Sequence, residues 1–152
     1  MSRFSEPKQV RVDSLKIDPA TAPKSDETLI RLIQAAVKGT VPVYFAIIPL
    51  SLCGPFDTEY RPDVHPGVAA LTEARAKQVT EQPIAMLVYP KGRWFVVSDD
   101  YPTLWAYQRA LPDYVPCVVL GKPEGEGVEI VQGPLTPEEA KAAIFGGSVV
   151  AG

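Results

Sequence analysis

The sequence predicts a single α/β domain (α+β in detail), built as a small mixed sheet covered by helices, and three observations carry that expectation. Short apolar runs bounded by proline and glycine alternate with stretches whose apolar residues recur at helical spacing. Two of the runs are joined by a Lys-Gly turn, which makes a hairpin and so an antiparallel pair. The 152 residues, 46% apolar and 22% charged, are the amount of chain that one hydrophobic core takes.

Residues 9–12 read as a first strand, followed by a turn-rich connection over 13–24 that contains Pro19 and Pro23. A helix then begins at a Ser25 cap, with Asp26 and Glu27 in its first turn where their charges suit the helix dipole. Leu29, Leu32, Ile33, Ala36 and Val37 form its apolar stripe, and Gly39 is the C-terminal stop. Residues 43–48 are continuously apolar between Pro42 and Pro49, which reads as a buried strand.

The breakers Gly54-Pro55, Arg61-Pro62 and His65-Pro66 make 51–67 a loop. Residues 68–79 read as a second helix, with Leu71 and Ala74 inward and Glu73, Arg75 and Lys77 outward. Residues 84–89 and 94–98 are hairpin strands around Pro90-Lys91-Gly92-Arg93. Asp99 or Asp100 then caps a helix in which Pro102 sits in the first turn and Leu104, Tyr107 and Leu111 share a face; Pro112 ends it.

A buried strand at 114–120, a polar loop at 121–127 and a short edge strand at 128–131 follow. Thr136-Pro137-Glu138-Glu139 is a capping box with proline at the first helical position, opening a last helix to about Phe145. The tail from 146 is expected to fray.

Composition also excludes function classes. No apolar run reaches the roughly 18 residues of a membrane span, and residues 1–7 contain no signal-peptide core. Cys53 and Cys117 lack metal-ligand spacing, and nothing in the sequence calls for an oxidising compartment, so cytoplasm is the expected location. A net charge of −3 denies the chain the basic stripe that carries most nucleic-acid affinity.

Residues 94–120 read WFVVSDDYPTLWAYQRALPDYVPCVVL: a strand, a turn, a helix with an Ala106-Tyr107 pair, and a strand opening on Val115-Pro116. This segment resembles the ParB/sulfiredoxin superfamily. Upstream, the helix ending at Lys38-Gly39 and the following Val41-Pro42-Val43-Tyr44 resemble the family's helix, glycine and proline-led strand. The resemblance covers 9–50 and 84–121, and 51–83 is expected to be an insertion.

At the family's phosphate-binding turn, sulfiredoxins carry Gly-Gly-Cys-His-Arg and ParB proteins Gly-Glu-Arg-Arg. Here the turn reads Asp99-Asp100-Tyr101-Pro102-Thr103, so the reactive cysteine falls at Tyr101 and the phosphate-binding arginine at Thr103. Neither chemistry carries over. The resemblance still implies a nucleotide site, for ATP or another nucleotide, bordered by Gly39, Thr40, Tyr101 and Thr103.

Two carboxylates at a helix N-terminus repel phosphate unless a cation intervenes. On that reading Asp99 and Asp100 are metal ligands and catalytic residues holding Mg²⁺, the hard-ion arrangement of nucleases and ATPases; on the plainer reading they are helix caps.

The stand-alone domain with a degenerate turn is similar to the Osa-type branch of conjugative plasmids. That branch implies a fertility-inhibition effector that blocks type IV transfer, with metal-dependent ATPase and DNase activity and DNA or nucleoprotein as partner. The competing expectation is an inactive interaction domain that docks on a secretion or coupling protein through 51–83.

Other polar residues have simpler roles. His65, with Asp57, Glu59 and Asp63, offers a carboxylate-rich metal loop but reads first as solvated loop. Lys91, Arg93 and Lys122 are turn charges, Cys117 is a small core residue and Cys53 an exposed one. Trp94 and Trp105 are expected in the core, with Tyr101 exposed and able to stack on a base.

Overall fold

The computed structural model describes residues 24–58, 60 and 66–145. The strand expected at 9–12, the loop residues Glu59, Asp63 and His65, and the tail from 146 lie outside the described residues.

The elements are α1 (Glu27–Val37), β1 (Val43–Pro49), a 3₁₀ turn (Leu50–Leu52), β2 (Cys53–Pro55), α2 (Pro66–Glu81), β3 (Met86–Lys91), β4 (Trp94–Val97), α3 (Tyr101–Ala110), β5 (Tyr114–Leu120), β6 (Glu129–Gln132) and α4 (Pro137–Phe145). The six strands form one mixed sheet in the order β2-β4-β3-β5-β1-β6, parallel at β2–β4 and β3–β5 and antiparallel elsewhere. No described helix is long and apolar enough to cross a membrane.

The centre of the sheet is where the sequence is most apolar. β1 and β5 pair along seven residues, from Val43 opposite Leu120 to Pro49 opposite Tyr114. Alternation along these strands divides the core. Phe45, Leu87 and Val118 face α1 and α4, whose Leu29, Ala36 and Ile144 cover them. Ala46, Val88 and Val119 face the opposite side, where Leu104 and Tyr107 of α3 cover them. α2 then packs along α3 as an outer helix.

Several expectations are corrected here. Asp26, not Ser25, caps α1, because its carboxylate accepts from the Thr28 and Leu29 N–H groups at 3.1 and 3.3 Å. The expected loop at 51–67 contains β2, which pairs with the free edge of β4 and so satisfies backbone groups that a loop would leave to water. α2 is longer than 68–79, and its inward face differs from the expected one: Glu73 and Lys77 are exposed as expected, but Ala74 is exposed too, while Thr72 and Arg75 are buried. The helix rests on α3 instead of the sheet, so an apolar stripe does not decide which side faces in.

Pro90 belongs to β3, opposite Phe95, and the turn narrows to Gly92-Arg93 with Gly92 at a φ of 63°. A proline is tolerated there because the pairing of β3 with β5 ends at Val88, so its missing N–H leaves no ladder bond unmade. Leu111 is 73% exposed and forms the left-handed C-cap of α3, leaving Leu104 and Tyr107 as the buried face. Trp94, expected in the core, is 54% exposed at the hairpin end, whereas Trp105 is buried. Cys53 is buried, not exposed, because β2 lays it on the α3 side of the sheet.

Other local signals hold. Gly39 ends α1 with a φ of 83°, and the Thr136/Glu139 capping box closes with bonds of 2.8 and 3.1 Å.

α3 is fastened to the sheet by one hydroxyl. Tyr107 Oη accepts from the Ile84 N–H at 2.8 Å and donates to the Ile84 carbonyl at 2.7 Å, just before β3 begins. Tyr107→Phe leaves two buried backbone groups without their partner, and should lower the unfolding free energy by about 1–3 kcal/mol in a denaturant titration.

Candidate functional site

The chemistry-bearing residues gather where the N-termini of α1 and α3 come together. Each helix begins with a buried aspartate. Asp26 spends Oδ1 on the first N–H groups of α1 and accepts the Tyr89 hydroxyl on Oδ2 at 2.8 Å. Asp100 accepts the Thr103 N–H on Oδ1 at 3.3 Å and the Thr103 hydroxyl on Oδ2 at 2.8 Å. Both arrangements answer the same need, because the first N–H groups of a helix have no partner within it and burial removes water as a substitute.

A third aspartate ties the two helices together. The Asp57 N–H donates to Tyr101 Oη at 3.0 Å, and Asp57 Oδ2 accepts from the backbone N–H of Lys24 at 2.9 Å. Tyr101 is the first residue of α3 and Lys24 precedes α1, so one short segment after β2 holds both. Tyr60, Tyr101 and Trp105 pack as an aromatic cluster, with ring centroids 5.3 to 5.6 Å apart.

Burial sets the protonation states. It pushes the Asp100 carboxyl up from 3.8 to about 6, against the hydroxyl bond from Thr103 and the positive charge of Arg75, while Asp99 adds a smaller upward push. The Tyr101 and Tyr60 hydroxyls are each raised to about 12, mainly by burial and further by the charge of Asp57. Tyr89 is raised by burial and by its bond to Asp26. At neutral pH the tyrosines are therefore neutral, and Tyr89 donates to the Asp26 carboxylate while Tyr101 accepts from the Asp57 N–H.

The expected site residues separate into two groups. Asp99, Asp100, Tyr101 and Thr103 share one turn, but Tyr101 and Thr103 are each only 1% exposed. Tyr101 is thus corrected from an exposed stacking platform to the floor of the aromatic cluster, since its hydroxyl is needed by Asp57. Gly39 and Thr40 lie at the other end of α1, about 16 Å along an 11-residue helix from its cap. There Gly39 packs against Pro137, and the Thr40 hydroxyl donates to the Ala35 carbonyl at 3.0 Å.

The sequence reading missed Asp26, Tyr60, Tyr89 and Arg75. A cap signal was present for Asp26. Arg75 gave none, because its charge predicts a solvated face. Among the described residues no group of three or more histidines, cysteines and acids is placed to hold a metal ion.

The raised Asp100 carboxyl gives a pH dependence with a definite sign. The native state holds this proton more tightly than the unfolded chain, so the associated stability is complete below pH 3.8 and is lost as pH rises through about 6. Asp100→Asn keeps the cap and offers an amide N–H to the Thr103 hydroxyl, without an ionisable proton. Relative to wild type, its melting temperature should rise between pH 4 and 6.5 and then level; a flat difference would mean that Asp100 titrates normally.

Compared with known protein families and with curated proteins, the chain matches none of them.

Proposed function

We propose that the chain is a plasmid-conflict effector of the fertility-inhibition kind, acting as a catalytically inactive interaction domain that docks on a secretion or coupling protein. The biological setting rests on the resemblance of residues 94–120 to the ParB/sulfiredoxin superfamily. The mode of action rests on the turn: Asp100, proposed from sequence as a ligand for Mg²⁺, accepts from Thr103 on both carboxylate oxygens. A helix N-terminus that has already filled its donors and its dipole with its own carboxylate offers little to a nucleotide phosphate.

A docking surface is available elsewhere. An apolar cavity of about 280 Å³ lies between the end of α2 and the start of β5, lined by Val79, Pro83, Tyr107, Pro112 and Pro116 among others. Tyr114, which also lines it, is exposed, as is Leu111 between the lining residues Ala110 and Pro112. Part of the wall, Val79 to Pro83, belongs to the segment expected to be an insertion, the part of the chain where a partner-specific surface would be added.

Donor-cell mating separates this reading from metal-dependent hydrolysis. Leu111→Asn, which suits the left-handed backbone, combined with Tyr114→Thr should weaken inhibition of transfer by about tenfold or more. Asp99→Asn with Asp100→Asn should leave inhibition intact. The reverse pattern, together with chelator-sensitive loss of plasmid DNA or ATP by the purified protein in Mg²⁺, would replace docking with catalysis.

A further inference from the structure

Cys53 is on the edge strand β2 and Cys117 on the central strand β5, with β4 and β3 between them in the sheet. Even so, both are buried in the same cluster on the α3 side, and their side chains are in hydrogen-bonding contact. Their sulfurs also lie against neighbouring backbone, Cys53 Sγ 3.8 Å from the Pro49 carbonyl and Cys117 Sγ 3.9 Å from the Val115 carbonyl. Val115 is opposite Ile48, the residue before Pro49, so the two carbonyls belong to one end of the β1–β5 ladder. The sheet therefore curls enough to bring its edge over its centre, and the two free thiols meet across the curl.

We propose that Cys53 and Cys117 are a disulfide-forming pair that locks β2 to the centre of the sheet when the protein meets a peroxide. β2 is only three residues long, and it leads directly to Asp57, whose N–H holds Tyr101. Locking it fixes the segment on which the junction of α1 and α3 depends.

The chemistry balances with hydrogen peroxide as oxidant. Cys53 is the less buried of the two and reacts first: its sulfur attacks one peroxide oxygen, the O–O bond breaks, and a sulfenic acid and water form. The Cys117 sulfur then attacks the Cys53 sulfur, the S–O bond breaks, and the departing hydroxide takes the Cys117 proton as a second water. Two thiols are oxidised and one peroxide is reduced. Burial, and then the neighbouring Cys53, hold the Cys117 thiol well above its ordinary pKa, so it waits as a thiol until the sulfenic acid is beside it.

The test uses the full reduced chain, treated with hydrogen peroxide, quenched, denatured and alkylated. Intact mass should show the loss of two hydrogen atoms with no alkylation, digestion should give one peptide pair joined through Cys53 and Cys117, and dithiothreitol should restore both thiols. Hydrogen exchange of the amides at 53–58 should slow about tenfold in the oxidised protein.

Three outcomes overturn the proposal. They are both thiols remaining alkylatable at a dose that fully oxidises free cysteine in parallel, Cys53 proceeding to sulfinic acid with Cys117 intact, and a link that joins two chains. Each shows that the pair does not close within the fold, and none requires a variant that must first be shown to fold.

Discussion

Two helices that begin inside the protein impose the constraint on which the rest of this structure depends. A helix start leaves several N–H groups without intrahelical partners, and burying them unsatisfied costs about as much as losing the same number of hydrogen bonds. Asp26 and Asp100 meet that need, but a buried carboxylate creates a need of its own. Tyr89 meets it for Asp26 and Thr103 for Asp100. The bonds from Asp57 then fix the approach to α1 against the start of α3. What looks like a cluster of acids and tyrosines is a chain of obligations, each group present because another was buried.

That chain bears on function through electrostatics. The positive end of a helix dipole attracts an anion, and here the anion is built in. The Asp100 carboxyl is nevertheless poorly stabilised as a charge, since the bonds from Thr103 and the charge of Arg75 do not offset its loss of water. A group in that balance serves as a hydrogen-bonded joint, holding the first turn of α3 through Thr103 within reach of the charge of Arg75.

The elements that could be read in the sequence are those whose pattern is set locally. β5 appears with its expected bounds because proline and apolar residues delimit it, and α4 because Thr136 and Glu139 cap each other within one turn. Legibility fails where a residue's surroundings come from a distant segment. Arg75 is buried because α2 lies on α3, and Tyr101 because Tyr60 and Asp57 arrive from the other side. Trp94 errs in the opposite direction: it opens β4 directly after a two-residue turn, at the end of the hairpin, and is left largely exposed. The turn at Asp99 and Asp100 could be located from sequence, but whether its carboxylates faced a ligand or the backbone depended on the first turn of α3 and on burial.

The position of α2 joins the buried joint to the surface. Arg75 places its charge on Asp100, and one helical turn later Val79 forms part of the wall of the apolar cavity. Losing the Arg75 charge raises the carboxyl further and favours its neutral form. Arg75 and Val79 thus connect the cap of α3 and the wall of the cavity through a single turn of α2.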